Sequence, residues 1–327
     1  MKAVVLKEYD TPLVLEEVEK PVAGPGQVLV SVKASAINPL DVKIKAGKAG
    51  HAEPRLPAIL GIDMAGVVES VGEGVGGFSV GDEVYGMTGG IAGIPGSLAQ
   101  YQVADARLLA LKPRALSFRE AAAMPLAFIT AWEGLVDRAR VGPGKTVLVH
   151  GGAGGVGHLA VQLAVAKGAS VYATVRPERA ALIEGYGAVA IDYTALSPAE
   201  YMQRYTHGKG FDIVFDTLGG ENLNASFLQV KRYTGQVVTI LGWGTHSLAP
   251  LSFRGATYSG VFTLYPLISG EGREHHGEIL REAAALVAAG RLRPLVDPTG
   301  YRLATVEAAY AAQEAGKAKG KIVVDVA

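Results

Sequence analysis

Short apolar runs separated by glycine and proline fill the first third of the chain. They predict strands near residues 28–32, 65–71, 83–85 and 108–111, bounded by turn signals such as Pro25-Gly26 and Pro113. This spacing is typical of a compact, mostly antiparallel β unit. The pattern changes at Ser117, which has Glu120 three residues on and an alanine run behind it, a combination that favours a helix start. We therefore predict a domain boundary near residue 118.

Residues 145–261 show a different pattern, in which apolar runs of strand length alternate with helical periodicity. Strands are predicted at residues 146–149, 170–175, 188–191, 212–215, 236–241 and 257–261. Such alternation predicts parallel β-α-β units, and six strands match the sheet of a doubly wound dinucleotide-binding domain. After residue 266 the pattern predicts a long helix over 278–289, preceded by a loop over 269–276, and a last strand over 322–326. The predicted fold class is α/β.

Composition excludes several kinds of protein. Lys+Arg number 31 and Asp+Glu number 31, so no net charge draws the chain to nucleic acid or to an anionic membrane. The absence of cysteine excludes disulfides, thiolate catalysis and cysteine-ligated metals. No apolar run approaches the roughly 18 residues of a membrane span, and charges follow soon after the first residue, so the cytoplasm is the expected location.

A glycine-rich segment carries the clearest chemical signal. Gly152, Gly154 and Gly157 form a G-x-G-x-x-G pattern that follows an apolar strand and opens a helical pattern. In this setting the pattern predicts a loop for the pyrophosphate of a dinucleotide, because a Cβ would block the phosphate and the first helical N–H groups donate to it. Gly155 and Val156 belong to the same loop. The alternative is a strand-to-helix turn that binds no ligand.

The end of the second strand of this domain bears on the choice of nucleotide. A domain specific for NAD would place Asp or Glu there, about 20 residues after the loop, to hold the ribose 2′-hydroxyl. This chain instead has Thr174, Arg176 and Arg179, whose hydroxyl and cationic donors suit a 2′-phosphate. We predict NADPH as the cofactor, with a solvated helix start as the alternative interpretation of the arginines.

Segments along the whole chain match a known family. They include residues 34–41 (ASAINPLD), 60–72 (LGIDMAGVVESVG), 80–84 (VGDEV), 96–101 (GSLAQY), 130–132 (TAW), 216–220 (DTLGG), 320–324 (GKIVV) and the glycine loop. Together they resemble the zinc-independent quinone oxidoreductase, or zeta-crystallin-like, branch of the medium-chain dehydrogenase/reductase superfamily. The resemblance implies a GroES-like catalytic domain from residues 1–118 and 266–327, a Rossmann NADP(H)-binding domain from residues 119–265, and a homodimer.

The resemblance also implies roles for individual residues. Tyr193 looks like the family tyrosine that contacts the 2′-phosphate beside Arg176. Other residues stand where relatives approach the pyrophosphate or the nicotinamide, namely Val156, Thr130, Gly242 and Lys321. No metal is implied, because Asn38 and Ile62 stand where zinc relatives have Cys and His ligands, and the four-cysteine lobe of those relatives is missing.

Without a metal, the expected chemistry is hydride transfer from NADPH to a small hydrophobic acceptor, either a quinone or another conjugated carbonyl. Asn38 is expected to donate a hydrogen bond to the developing oxyanion, with Lys43 and Thr130 as further candidates. Lys43 suits a proton donor only if it is buried. Many relatives have Tyr in place of Lys43 and Glu in place of Asp63, so the proton donor stays open.

Two alternative functions stay open on the sequence alone. One is an alkenal, enone or enoyl-thioester reductase, although no basic cluster marks a site for the tail of a thioester substrate. The other is a non-catalytic NADPH-binding protein with a crystallin-like or regulatory role, because fold alone does not determine function.

Overall fold

A computed structural model describes residues 1–326 of the chain. Its strands are β1 Lys2–Leu6, β2 Val14–Glu17, β3 Gln27–Ile37, β4 Ala58–Ile59, β5 Asp63–Val71, β6 Glu83–Met87, β7 Tyr101–Asp105, β8 Leu109–Leu111, β9 Thr146–His150, β10 Ser170–Val175, β11 Val189–Asp192, β12 Ile213–Asp216, β13 Gln236–Thr239, β14 Thr257–Gly260, β15 Tyr301–Arg302 and β16 Ile322–Asp325. Its helices are α1 Pro39–Lys45, α2 Phe118–Ala122, α3 Pro125–Trp132, α4 Gly157–Ala166, α5 Ala180–Gly185, α6 Pro198–Thr206, α7 Gly220–Gln229, α8 Ala249–Ser252, α9 Tyr265–Ser269, α10 Arg273–Ala288 and α11 Val306–Glu314.

The chain folds into two compact units. The first contains Met1–Leu126 and Leu264–Ala327, and the second contains Ala127–Thr263. No helix within residues 1–326 is long and apolar enough to cross a membrane.

The first unit is built around a seven-stranded sheet of order β15-β16-β3-β5-β6-β8, with β7 paired to β3, and a three-stranded sheet of order β2-β1-β4. Most strand pairs are antiparallel, and the predicted strands at 28–32, 65–71, 83–85 and 108–111 all lie in the larger sheet. The long strand β3 continues beyond the predicted residue 32, because its second half is also buried and pairs with β16, Ile37 opposite Ile322. This pairing places Ile322, and with it the strand β16, next to the start of α1.

The helix start at Ser117 is confirmed. The backbone N–H of Ser117 donates to the Glu120 carboxylate at 2.9 Å, and the Glu120 N–H donates to the Ser117 hydroxyl at 3.2 Å. Each partner therefore satisfies one N–H group at the helix start. The helix α2 packs on β3 and β5 inside the first unit, and the division between the units falls after it, between Leu126 and Ala127.

The second unit is a six-stranded parallel sheet of order β11-β10-β9-β12-β13-β14. Numbered within the unit, this order is 3-2-1-4-5-6, which is the arrangement of doubly wound dinucleotide-binding domains. All six predicted strands are present. The apolar runs of the inner strands β9, β10, β12 and β13 are mostly buried, whereas the edge strand β14 is mostly exposed. Residues such as Leu148, Phe211, Val214 and Phe227 form one core cluster.

The long helix near the end of the chain begins earlier than its sequence pattern predicted. Residues 269–276 read as a loop, yet α10 starts at Arg273, directly after Gly272, whose positive φ of 75° marks the turn. A Cβ on Gly277 would lie 2.4 Å from the carbonyl oxygen of Arg107. The N-terminal part of α10 therefore packs closely against the segment that contains Arg107, and this packing overrides the weak local helix signal of the glycine-rich stretch.

Candidate functional site

The carboxyl ends of the parallel strands in the second unit lie at one edge of its sheet. The glycine loop follows β9 there, Arg176 follows β10, Tyr193 follows β11 and Gly242 lies beyond β13. Sheets with this strand order bind dinucleotides at that edge, where the strand order reverses. The fold thus brings most of the predicted cofactor-binding residues to the edge that suits them.

Close packing explains two glycines of the loop. A Cβ on Gly152 would lie 2.6 Å from the Cβ of Ala173, and a Cβ on Gly157 would lie 2.1 Å from the carbonyl oxygen of Gly151. Both contacts are far shorter than two such atoms can approach, so these positions exclude any side chain. The loop is consequently held tightly against β10 and against its own first turn.

The middle of the same loop is open. A Cβ on Gly154 would meet only the carbonyl oxygen of Gly151, at 3.1 Å, and Gly154 and Gly155 are exposed. Val156, at the start of α4, is half-buried. The Gly154 N–H already donates to the Gly151 carbonyl at 2.9 Å, so the backbone of Gly155 and Val156, at the start of the helix, is what fits the pyrophosphate of a dinucleotide cofactor.

Thr174 braces the loop from inside the protein. Its hydroxyl accepts the Gly151 N–H at 3.2 Å and pairs with Nδ1 of His150 at 3.2 Å, and its carbonyl accepts the Gly152 N–H at 3.1 Å. Nε2 of His150 in turn pairs with Oε1 of Gln229 at 2.7 Å. Burial lowers the pKa of His150, which favours the neutral imidazole. The Thr174 hydroxyl is therefore engaged below the loop.

Arg176 and Tyr193 meet at the ends of adjacent strands. The Nε–H of Arg176 donates to the Tyr193 hydroxyl at 3.0 Å, and both side chains are exposed. The bond leaves the terminal nitrogens of the planar guanidinium for a phosphate. The nearby Asp192 directs its Oδ1 to Thr194, from which it accepts both the N–H and the hydroxyl, at 2.8 and 2.6 Å. Arg179 closes the short turn after Arg176, to whose carbonyl it donates its backbone N–H at 2.9 Å.

Two further predicted residues of the second unit occupy tight positions. Gly242 is exposed, and a Cβ there would lie 2.4 Å from the Tyr258 hydroxyl. Thr130 is buried in α3 and its hydroxyl donates to that of Thr263 at 3.3 Å, which donates to a Glu133 oxygen at 2.8 Å. Thr130 belongs to the second unit and the other two predicted catalytic residues, Asn38 and Lys43, to the first.

In the first unit, four side chains form what we call the polar cluster: Asn38, Asp41, Asp63 and Lys321. Asn38 directly follows β3 and caps α1, whose first residue is Pro39. One oxygen of Asp41 accepts the Asn38 backbone N–H at 2.8 Å, and the other accepts the Gly61 N–H at 3.2 Å. Asp41 therefore fixes the backbone that carries Asn38.

The side-chain amide of Asn38 is held at both ends. Its Nδ2 donates to Oδ2 of Asp63 at 3.1 Å, and its Oδ1 accepts a hydrogen bond from the Lys321 ammonium. The other oxygen of Asp63 accepts the Leu126 N–H at 2.8 Å. Lys321 also lies 3.5 Å from the carbonyl of Ile37 and 3.9 Å from Asp63. The structure thus brings together two predicted residues, Asn38 and Lys321, that are far apart in sequence.

Burial sets the charge state of the cluster. Removal from water raises the pKa of Asp41 to about 7 and that of Asp63 to about 6, against the opposing effects of hydrogen bonds and of Lys321. Burial lowers the pKa of Lys321, and the two carboxylates partly offset this. The cluster therefore exchanges a proton at a pH closer to neutrality than ordinary carboxyl groups do.

Lys43 lies apart from this cluster. It is in the last turn of α1, and its side chain is exposed. The pKa of His51 is lowered mainly by the partial burial of His51 itself, and secondarily by the positive charge of Lys43. The burial that would suit Lys43 to proton donation is therefore absent.

Sequence reasoning missed the roles of Asp41 and Asp63, and missed Tyr310. Tyr310 is buried, and within residues 1–326 its hydroxyl has no hydrogen-bond partner. Burial is the main cause of the raised pKa of Tyr310, and the negative charge of Asp41 raises it further. The spacing Asn38-Pro39-x-Asp41 is a local signal for a capped helix start and could have identified Asp41. No local signal pairs Asn38 with Lys321.

The residues at the positions of the zinc ligands of distant relatives do not fit zinc. Both ends of the Asn38 amide and both oxygens of Asp63 are engaged in hydrogen bonds, and Ile62 is a fully buried apolar side chain. Across the part of the chain that the structure describes, no group of three or more His, Cys, Asp or Glu side chains is arranged to hold a metal ion.

Comparison with known proteins agrees with this geometry. The family model "Alcohol dehydrogenase GroES-like domain" matches residues 24–114, and the model "Zinc-binding dehydrogenase" matches residues 186–324. The 2-methylene-furan-3-one reductase of Solanum lycopersicum is 37% identical over 337 aligned positions, which cover 99% of this chain and 79% of that protein. The chain belongs to the medium-chain dehydrogenase/reductase superfamily.

Other members of the superfamily are similarly close. The chloroplastic NADPH-dependent alkenal/one oxidoreductase of Arabidopsis thaliana is 36% identical, over 99% of this chain and 79% of that protein. A crystal structure of an alcohol dehydrogenase superfamily protein from Novosphingobium aromaticivorans is 53% identical and superimposes with a TM-score of 0.98, covering 100% of both chains. The protein is therefore an oxidoreductase of a superfamily that binds nicotinamide cofactors, and the predicted GroES-like plus Rossmann fold class is confirmed.

Proposed function

We propose that this protein is an NADPH-dependent reductase that transfers hydride to a conjugated carbonyl compound, either an enone, an alkenal or a quinone, and that it works without zinc. The contact between Arg176 and Tyr193, at 3.0 Å on adjacent strand ends, is the observation that carries the proposal. It supplies a cation and a hydroxyl where NAD-specific domains have a carboxylate. The names of the tomato and Arabidopsis relatives support the class of acceptor.

Each proposed cofactor contact follows from the position of the residue in the fold and from its residue type. The backbone of Gly155 and Val156 would hold the pyrophosphate, and Gly152, Gly154 and Gly157 would shape the loop around it. Arg176 and Tyr193, with Arg179 next to them, would hold the 2′-phosphate, and Thr174 supports the loop beneath. Gly242 and Thr130 are the proposed positions nearest the nicotinamide. NADPH, when bound, supplies the hydride.

Asn38 is the proposed electrophilic donor. Charge develops on the carbonyl oxygen of the acceptor as the hydride arrives at the conjugated carbon, and a fixed N–H donor stabilises that charge. Within the described protein, Nδ2 of Asn38 makes one hydrogen bond, to Asp63, so its second N–H is left for the acceptor. Lys43 is exposed on α1 and lacks the burial that would suit a lysine to proton donation, so we do not assign it the proton transfer; the proton would come from solvent.

The test is oxidation of NADPH, followed by absorbance, with a short enone, an alkenal, a naphthoquinone and crotonyl-CoA as acceptors and NADH as the control cofactor. We expect turnover with the enone and the alkenal, and a preference for NADPH of about 100-fold, because charge-assisted hydrogen bonds to the 2′-phosphate are strong. Turnover with crotonyl-CoA alone would favour a thioester reductase. Tight NADPH binding without turnover of any acceptor would favour a non-catalytic role.

We also propose that the protein is a homodimer formed through β14. This strand ends its sheet, and the nearby side chains of Tyr233 and Phe253 are 87% and 85% exposed. The unpaired backbone groups of an edge strand, together with exposed aromatic side chains, favour association with a second copy of the chain. Sedimentation equilibrium should give twice the chain mass of 34.0 kDa, and Phe253→Glu should lower that value. A wild-type mass of one chain at micromolar concentration would contradict the dimer.

A further inference from the structure

We infer that Lys321 and Asp63 are positioning residues that hold the Asn38 carboxamide in one orientation and that Lys321 strengthens its N–H as a donor. The inference rests on the proposed function in one respect, namely that Asn38 donates to the acceptor oxygen. It gives Lys321 a role other than the cofactor contact that the family resemblance implies.

The orientation follows from the hydrogen-bonding capacity of the three groups. An ammonium only donates and a carboxylate only accepts, whereas the two ends of a carboxamide differ. Lys321 therefore selects the oxygen of Asn38, and Asp63 selects its nitrogen. Rotating the amide by half a turn would set donor against donor and acceptor against acceptor in a buried site, which is strongly unfavourable.

The surroundings make this arrangement rigid. Asp63 is fully buried and is tied to the backbone of Leu126 through its second oxygen, at 2.8 Å. Asn38 is 1% exposed, and Asp41 holds its backbone N–H at 2.8 Å. Lys321 is 5% exposed, with its ammonium directed to Asn38 and to the carbonyl of Ile37. The ammonium is thus already engaged inside the first unit.

Lys321 also changes the strength of the donor. An ammonium on the amide oxygen draws electron density toward that oxygen and makes the N–H groups more polar, an effect that low dielectric surroundings increase. A stronger donor matters most when charge has formed on the acceptor oxygen, in the transition state. Loss of Lys321 should therefore lower kcat and leave cofactor binding unchanged.

A double-mutant cycle tests the inference. The variants are Lys321→Met, Asn38→Ala and the two combined, with the exposed Lys317→Met as the matched control. We expect Asn38→Ala to lower kcat about 100-fold and Lys321→Met about 30-fold, with the Kd for NADPH within about 3-fold of wild type. In the Asn38→Ala background, Lys321→Met should change kcat by less than about 3-fold, because its target is already gone.

Two kinetic outcomes would overturn the inference. A rise of about tenfold or more in the Kd for NADPH on Lys321→Met, with kcat unchanged, would make Lys321 a cofactor ligand. Equal losses from Lys321→Met in both backgrounds would make its effect independent of Asn38. If Lys321→Met does not fold, Lys321→Gln keeps a donor without the charge and takes its place in the cycle.

An NMR measurement that does not depend on catalytic turnover separates this inference from the proposed function. In ¹⁵N-labelled protein, the side-chain amide signals of Asn38 are those that disappear in Asn38→Ala. Lys321→Met and Asp63→Asn should both shift these signals, and Lys317→Met should not. Unshifted signals in both cluster variants would refute the positioning role even in an active enzyme. Shifted signals in a protein that reduces no acceptor would leave the positioning intact and refute the function.

Discussion

The two regions that carry the proposed chemistry are built in opposite ways. The cofactor edge of the second unit combines an exposed loop backbone with exposed side chains, Arg176 and Tyr193. The polar cluster of the first unit consists of four side chains that are almost completely buried. An anion site can rely on backbone N–H groups and a flexible arginine, because the ligand itself completes it. A buried cluster has to be complete before any ligand arrives, since unpaired polar groups are costly there.

This difference implies different consequences of substitution. Changes at the exposed edge should alter ligand affinity with little effect on folding, except at the two glycines that pack closely. Changes in the polar cluster should alter stability and its dependence on pH. Four substitutions test this comparison.

The largest effect is expected for Gly157→Ala. Its Cβ would lie 2.1 Å from a backbone oxygen that cannot move without distorting the loop, whereas the Cβ of Gly154→Ala would meet that oxygen at 3.1 Å. We expect Gly157→Ala to lower the free energy of unfolding by about 3 kcal/mol and to abolish NADPH binding. Gly154→Ala should unfold like wild type and bind NADPH more weakly. Thermal unfolding and fluorescence titration measure both, and equal stability of the two variants would contradict the packing argument.

The next effect is expected for Arg176→Ala. Removal of the guanidinium should raise the Kd for NADPH about 30-fold, close to 2 kcal/mol, because hydrogen bonds from charged groups contribute about that much. The Kd for NADH and the Tm should stay unchanged, since the side chain is exposed. Arg204→Ala, an exposed arginine on α6, is the control. Equal weakening of NADPH and NADH binding would show that Arg176 does not recognise the 2′-phosphate.

A third effect concerns pH and Asp41. Burial raises the pKa of its carboxyl to about 7 in the folded protein, above the ordinary value of 3.8. The folded state therefore binds the Asp41 proton more tightly than the unfolded state does. The contribution of this bound proton to the free energy of unfolding is complete below about pH 4, and it is lost as the pH rises through 7. Asparagine does not titrate. The destabilisation by Asp41→Asn should therefore shrink between pH 5 and pH 8, by an amount on the order of 2 kcal/mol.

Urea unfolding at about pH 5, 6.5 and 8 measures this dependence, with the exposed Asp10→Asn as control. The control should differ from wild type by the same small amount at each pH. A destabilisation by Asp41→Asn that grows with pH would show that Asp41 is held as a carboxylate.

The smallest effect is expected for Thr174→Val, which keeps the shape of the side chain and removes its hydroxyl. The Gly151 N–H and Nδ1 of His150 would each lose a partner. We expect the free energy of unfolding to fall by about 1 kcal/mol and the Kd for NADPH to rise about 5-fold. Thr174→Ser should restore both values. Failure of serine to restore them would mean that the methyl group of Thr174, and not its hydroxyl, supports the loop.

Several elements could be predicted because their causes are local. The capping pair of Ser117 and Glu120, the apolar runs of the parallel sheet and the spacing of Gly152, Gly154 and Gly157 each act within a few residues. The predicted start of α10, at residue 278, was wrong, because the helix begins at Arg273. Gly272 and Gly277 weaken the helix signal there, and the packing that compensates for this weakness comes from a segment distant in sequence.

The sequence by itself determined the order of the elements, the glycine loop and the absence of a carboxylate at the end of β10, where Val175 and Arg176 stand. Only the tertiary structure decided that Asn38 meets Lys321 and Asp63, that Lys43 remains in solvent, and that Thr174 faces inward. Spacing along a chain specifies contacts within a turn, a strand or a helix. The burial that shifts a pKa and the partner that orients an amide depend on which distant segments the fold brings together.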